Sequence, residues 1–391
     1  MIIFFFLYLY LLLWLIRLVE RVLFHVYKWQ LKEYRWDRYR EYLHARQGVW
    51  MLLHPWYWIG LCIAILLLFV EKQLYSISIR FPWFYLLPLY IIISGIITIF
   101  HGLQQKIRRP HFTGRVLIVV ILSLFILTTP LYFGILLDVS TLIPFTHIIS
   151  LLVAPFVVVL LVFLTSFPTH YFKQRTIEKA KAKMATMPNV KVIGITGSYG
   201  KSSTKEFLAT ILSTKYKVTK TPANRNSEIG VAQTVLRDLK PEHEVFIVEM
   251  GAYRKGEIKA ICDIVHPTIG VLTAVSEQHL ALFGSLEETK KAKYELIKAL
   301  PENGTAIFNA DNRDARDLAE QTLKSKKLYS IERPADIFAT AITVQPEKLS
   351  FSLTVEGKKQ HIVVSLLGAQ AVSNLLAAIT VAQTLGMTLE E

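Results

Sequence analysis

Residues Gly197-Ser198-Tyr-Gly200-Lys201-Ser202-Ser203-Thr204 bring two glycines, a lysine and a run of hydroxyls together. That set suits a polyphosphate. Glycines let backbone N–H groups approach an anion, a lysine here reaches the β/γ-phosphates, and the hydroxyl after it holds Mg2+. The spacing is not that of a strict Walker A loop. Ile195 stands five residues before Gly200, and the glycines sit at 194 and 197 instead. Context supports the assignment: residues 190–196 are a β-branched run that predicts a buried parallel strand, and 205–212 read as a helix. Gly197, Ser198, Gly200, Lys201, Ser202 and Ser203 are therefore the expected phosphate-loop residues.

Other candidates lie at the ends of further β-type runs. Residues 244–248 lead into Glu249, and an acid at the C-terminal end of a neighbouring parallel strand suits a Mg2+-ordering carboxylate. Taken alone, Glu249 also reads as a strand-end surface acid. The run 269–273 leads to a loop carrying His279, which by itself reads as structural or solvent-exposed. Residues 304–309 open onto Asn309, Asp311 and Asn312. Strands alternating with helices predict an α/β sheet with these residues gathered at its C-terminal edge.

The elements that must position them occupy only the second half of the chain. The 391 residues are 52% hydrophobic and 19% charged, and the mean hydropathy of +0.38 is too apolar for an ordinary soluble enzyme. Disorder and collagen are excluded. With only Cys62 and Cys262, neither in a CxxC pair, so are a disulfide scaffold and a thiolate zinc site. Before residue 172, apolar runs of bilayer length recur at 2–19, 50–70, 81–100, 116–137 and 148–167. The first lacks the basic n-region and small-residue exit of a cleaved signal.

Lys and Arg number eight over 17–48, two over 71–80, four over 101–115 and none over 138–146. That alternation predicts five spans, with the N-terminus outside and the chain after Phe172 in the cytoplasm. The basic excess of this half, 14 Lys and Arg against 6 Asp and Glu, then mostly reflects topology and contact with a lipid bilayer, and nucleic acid is not needed to explain it. No Asp, Glu, Lys or Arg lies mid-span in the last four runs, which argues against a proton-coupled transporter. The expected organisation is a polytopic region at 1–172, a basic juxtamembrane linker at 173–188 ended by Pro188, and an α/β domain of P-loop type with a mostly parallel sheet at 189–391.

Several ordered motifs of the second half resemble the Mur ligase family. Gly194-Ile-Thr-Gly-Ser-Tyr-Gly-Lys-Ser-Ser-Thr-Lys is similar to its phosphate loop, and Thr221-Pro-Ala-Asn224-Arg-Asn226-Ser227-Glu-Ile-Gly230 to its substrate-side loop. Val248-Glu-Met-Gly-Ala with Gly256-Glu-Ile258 resembles the segment carrying a magnesium glutamate. His279-Leu-Ala-Leu-Phe-Gly-Ser with Lys291-Ala-Lys293 resembles the segment with a metal-binding histidine and a lysine carbamylated in many members.

The resemblance implies an ATP-dependent amide ligase of peptidoglycan precursor synthesis. Such an enzyme joins an amino acid or a dipeptide such as D-alanyl-D-alanine to a UDP-muramoyl-peptide-like substrate through an acyl phosphate; combined with the loop charges, this places the expected activity at the inner face of the cell membrane. It also implies roles: Lys201 on the phosphates; Ser202, Glu249, His279 and carbamylated Lys293 for the metals; Asn224, Asn226 and Ser227 toward substrate; Asn309, Gln370 and Asn374 toward the nucleotide. A polyglutamate-type ligase needs the same ATP site. A membrane scaffold or transport component with a nucleotide-binding regulatory domain is the reading from another class.

There are departures from the family pattern. Its G-x-H-N-x-x-N helix reads Gly368-Ala-Gln370-Ala371-Val-Ser-Asn374, Thr273-Ala274-Val275 stands where an Asn is common, and Ala281 replaces an acid after His-Leu. The sequence stops at Glu391, about where a third domain is expected to begin, which suggests an incomplete reading frame or a nucleotide-binding remnant.

Overall fold

The computed structural model describes residues 2–44, 58, 61–62, 65, 86–104, 108–136, 143–276, 285–346, 348–355, 357–365, 368 and 370–391. The expected span at 50–70, the start of that at 81–100 and the loop carrying His279 lie outside the described residues. The chain divides into two compact units, Met1–His170 and Tyr171–Glu391.

In the first unit, α1 (Ile2–Leu31) is followed by α2 (Trp36–His44), α3 (Leu86–Leu103), α4 (Gly114–Leu136) and the start of α5 (Ile143–Ala185). Tyr10, Trp14, Leu18, Val22, Val26 and Trp29 recur every three or four residues along one face of α1 and are buried there. Gly95 of α3 sits so close to α1 that an added Cβ would lie 2.7 Å from that of Leu13. The opposite faces are apolar and exposed, with Ile118, Ile121, Leu122 and Phe125 on α4 and Phe156, Leu160, Phe163 and Phe167 on α5. Among the described residues two helices, over Gly114–Phe133 and Thr146–Ala185, are long and apolar enough to cross a membrane, and Leu89–Leu103 is a shorter apolar helix.

The second unit alternates strands and helices: β1 (Lys191–Thr196), α6 (Lys201–Leu212), β2 (Val218–Lys220), α7 (Glu228–Arg237), β3 (Val245–Glu249), α8 (Glu257–Val265), β4 (Ile269–Leu272), α9 (Leu286–Ala299), β5 (Thr305–Asn309), α10 (Arg313–Glu320) and β6 (Lys326–Ser330). Then come β7 (Ile337–Val344), β8 (Leu349–Val355), β9 (Lys358–Val364) and α11 (Gln370–Thr384). One sheet results, in the order β2-β3-β1-β4-β5-β6-β7-β8-β9. It is parallel through β7 and antiparallel from β7 to β9. β2, β6 and the β7–β9 meander are additions to the four strands expected from sequence.

β1, β3 and β4 are buried almost throughout, as strands covered on both faces must be. Alternate residues serve opposite layers. Ile193, Ile195, Val245 and Ile247 pack with Leu208 and Leu212 of α6 and Leu376 and Val381 of α11. Val192, Phe246 and Val248 pack with Val231, Ile261 and Leu296 from α7, α8 and α9. Each fully buried aliphatic side chain contributes roughly 1.5–3 kcal/mol of transfer free energy, so this two-sided burial fixes the sheet on which the loops stand. The basic stretch at 173–185 is helical, and its apolar side (Ile177, Ala180, Met184) belongs to the same core. Chain order reverses around β1, which lies between β3 and β4. The C-terminal edge there is where α/β sheets open a crevice for ligands.

Candidate functional site

The 197–200 loop leaves the C-terminal end of β1 and enters α6 at once, so the helix starts at Lys201, four residues before the sequence-based boundary. Gly200 forms the N-cap with φ +83°, no side chain caps the helix, and its first turn carries no acid. The positive end of the helix dipole is therefore open to an anion. Both loop glycines are required sterically. A Cβ at Gly197 would lie 2.0 Å from Thr273 Oγ1, and one at Gly200 would lie 2.5 Å from Asn374 Oδ1.

The loop is held from β4. Thr273 Oγ1 donates to the Tyr199 carbonyl at 2.5 Å, and Ser198 N donates to the Ala274 carbonyl at 2.7 Å. Ser198 Oγ accepts from Ser276 N at 2.9 Å. Asn309 Nδ2 donates to the Thr273 carbonyl at 3.0 Å, so Asn309 supports the segment that supports the loop. Thr273 departs from the family's usual residue, and here its hydroxyl fastens the phosphate loop.

Lys201 folds back, its Nζ donating to the Gly197 carbonyl at 2.7 Å and to that of Ser198 at 3.3 Å. Burial holds its pKa below the usual lysine value, and the charge of Glu249 opposes that shift. The loop thus forms a closed ring of its own.

Glu249, at the end of β3, is buried and held on every side. Its Oε1 accepts from Ser202 Oγ at 3.0 Å and from Asn226 Nδ2 at 3.3 Å. Its Oε2 accepts from Lys205 Nζ at 3.1 Å, and its backbone N–H donates to Thr221 Oγ1 at 3.0 Å. Carboxylate and hydroxyl oxygens side by side are the hard donors Mg2+ prefers, and that ion commonly completes its octahedron with phosphate oxygens and water. Ser202 and Glu249 therefore fit a magnesium ion bound together with a polyphosphate.

Lys293, on α9, is 5% exposed and lines a small cavity of about 60 Å3 with Gly197, Ser198, Lys201, Asn226 and Tyr253. Burial first, and then the charge of Lys201, lowers its pKa to about 7. An amine poised to be neutral can act as a nucleophile toward CO2, the chemistry a carbamate requires.

The expected residues are thus gathered unevenly. Gly197, Ser198, Gly200, Lys201, Ser202, Asn226, Glu249, Lys293, Asn309 and Asn374 surround one crevice. Asn374 reaches it by packing on Gly200. Ser203 is exposed on α6, and Gln370 is exposed at the start of α11. Asn224 is exposed in a left-handed turn, φ +62°. Ser227 caps α7, accepting from Gly230 N at 3.4 Å. His279 lies outside the described residues. Among the described residues no group of three His, Cys, Asp or Glu side chains converges on a metal-sized site.

Two side chains given no role by the sequence reading, Lys205 and Thr221, complete the site. Asn312, expected at the C-terminal edge of the sheet, caps α10 and pairs with both the N–H and the carbonyl of Val275.

A glycine loop at an open helix N-terminus, a strand-end carboxylate beside its serine, and a buried lysine lining the same crevice define an α/β domain whose crevice suits a polyphosphate. Residues 195–382 match the Mur ligase middle domain. The UDP-N-acetylmuramoyl-tripeptide–D-alanyl-D-alanine ligase of Synechocystis sp. is 40% identical over 199 residues, 51% of this chain and 41% of that protein. The ligase of the same name from Escherichia coli is 36% identical over 203 residues, 51% and 44% of the two chains.

Among solved structures, MurF from Acinetobacter baumannii aligns with a TM-score of 0.52 at 29% identity, covering 56% of this chain and 48% of that one. MurF from Thermotoga maritima, solved in complex with ADP, aligns with the same score at 28% identity, covering 55% and 50%. The chain spans about two-fifths of the length of the curated relatives it matches.

Proposed function

We propose that this protein takes part in ATP-dependent amide formation of the Mur type, joining D-alanyl-D-alanine or a similar amine to a UDP-muramoyl peptide. The observation that carries this reading is Ser202 Oγ lying 3.0 Å from Glu249 Oε1, directly after a glycine loop built for phosphate. The names of the relatives support the substrate class.

In the proposed reaction a carboxylate oxygen of the peptide attacks the γ-phosphorus and ADP leaves. The amine then attacks the acyl carbon of the acyl phosphate. The tetrahedral intermediate loses a proton from nitrogen and expels inorganic phosphate. The protein's part is positioning and charge neutralisation. Lys201 exchanges its loop carbonyls for phosphate oxygens, and the open N-terminus of α6 receives the remaining charge. Ser202 and Glu249 would hold Mg2+, which would supply charge neutralisation for the phosphates, and Lys293, if carbamylated, would add an anionic oxygen donor to the same crevice. Asn226 connects the Glu249 carboxylate to the substrate-side loop.

The apolar outer faces of α4 and α5 support a bilayer location for the first unit, with the ligase domain on the cytoplasmic side as the loop charges require. Tethering raises the enzyme's effective concentration near membrane-bound steps without new chemistry.

The test is phosphate release by the detergent-purified chain with ATP and Mg2+, with and without UDP-N-acetylmuramoyl tripeptide and D-alanyl-D-alanine, together with product mass. Substrate-dependent phosphate with a matching amide is expected. ATP binding with no product under any substrate combination rejects the ligase reading for this chain.

A further inference from the structure

Two lysines of α6, Lys201 and Lys205, come close to Glu249, and Lys205 makes the direct contact. On α6, Lys205 follows Ser202 by three positions and Lys201 by four, which puts all three on one helix face. Its side chain is 1% exposed, that of Glu249 is 4%, and their N···O distance is 3.1 Å. The second partner of Lys205, Glu206 Oε1 at 3.5 Å, is half exposed and also pairs with Lys220.

The two oxygens of Glu249 therefore have different surroundings. Oε2 is committed to a buried ammonium, while Oε1 faces the Ser202 hydroxyl and the Asn226 amide. An ammonium on one oxygen prevents bidentate chelation and lowers the negative potential that a free divalent cation would meet. A bound polyphosphate reverses that balance, because it adds several negative charges opposite the same lysines.

We propose that Lys205 is a positioning residue that restricts Glu249 to one Ser202-facing oxygen and keeps the nucleotide-free site from taking a divalent cation. The metal then enters only with the polyphosphate. This deepens the reading of the crevice as a nucleotide site and rests on it. The functional consequence is order: a site that cannot fill with metal alone is not blocked by it, and the arriving nucleotide brings its own cation.

The test is Mn2+ binding by electron paramagnetic resonance to the full chain in detergent, without nucleotide. Weak binding is expected for the wild type and for Lys205→Arg, which keeps the charge. Lys205→Met is expected to bind Mn2+ at least ~10-fold more tightly, and Glu249→Gln added to it is expected to abolish that gain. A Lys205→Met protein with a cooperative thermal transition and no gain in Mn2+ affinity overturns the proposal. So does nucleotide-free wild type that binds Mn2+ tightly and loses it on Glu249→Gln, a comparison that stands even where the methionine variant does not fold. Failure of the nucleotide-site reading shows separately, as absence of ADP binding with or without metal.

Discussion

Lys201 donates to the carbonyl of Gly197, four residues earlier in the same loop, at 2.7 Å. The group that must grip phosphate therefore holds the loop shut while no phosphate is there. The hydrogen bond keeps a half-buried ammonium satisfied, which matters because an unpaired charge at that depth is costly. Nucleotide entry exchanges one set of oxygens for another and leaves the lysine paired throughout.

Replacing Lys201 should then affect binding far more than folding. A charge-assisted hydrogen bond contributes about 1.5–3 kcal/mol, so Lys201→Ala is expected to weaken ADP binding by roughly 10- to 100-fold. Its melting temperature should fall only slightly, since the Gly197 and Ser198 carbonyls it releases border the small cavity that Lys201 itself lines. Calorimetric titration with ADP beside a thermal melt checks both. A variant with unchanged ADP affinity would remove Lys201 from the site.

The contact between Gly197 and Thr273 supports a sharper experiment. A methyl at 197 would meet Thr273 Oγ1 at 2.0 Å, and Ala274 N at 3.0 Å behind it. Gly197→Ala is expected to cost about 1–3 kcal/mol of stability and to abolish nucleotide binding. Adding Thr273→Ala removes the nearer obstacle but also the hydrogen bond to Tyr199, so the pair should recover part of the stability and little of the binding. A double-mutant cycle by urea denaturation reads the coupling. Strict additivity would mean that the two residues do not meet as described.

The phosphate loop was legible because its parts are contiguous: a β-branched strand, glycines, Lys-Ser and a helix, all within about 20 residues. Glu249 was legible from its place at a strand end. Lys205 was not, because a lysine on an amphipathic helix reads as solvent-facing, and nothing local reveals a carboxylate 44 residues away. Ser227, expected toward substrate, also caps α7, a role that a serine just before a helix signals. The β7–β9 meander was less legible because β9 is mostly exposed and β7 only partly buried, so that β8 alone alternates in the period of a half-buried strand.

The first unit carries a prediction of its own. Phe125, on α4, and Phe163 and Phe167, on α5, are each more than half exposed. Water does not favour apolar faces of that extent. In native vesicles the chain should resist alkaline extraction, and protease should reach the second unit in inverted vesicles only. Release into the alkaline supernatant would reject the membrane reading. Cleavage in right-side-out vesicles alone would reject the orientation drawn from the loop charges.

Lys293 ties stability and chemistry to the same proton. Its pKa falls from 10.5 to about 7 on folding, chiefly through burial. Between those values the unfolded chain binds the proton and the folded chain does not, so stability rises with pH across this window. Below about pH 7 the buried ammonium is charged in both states and its desolvation penalty is fully present.

Lys293→Met should therefore stabilise the protein by a few kcal/mol at pH 6.5, and the difference should shrink as pH approaches 10.5. The same variant should lose the carbamate. With 13C-labelled bicarbonate at pH 8, the wild type is expected to give a carbamate carbon signal that fades as pH falls below 7, because only the free amine adds CO2. A stabilisation that is flat with pH would mean that Lys293 keeps its charge in the folded state. A carbamate signal that survives in Lys293→Met would put the modification on another lysine.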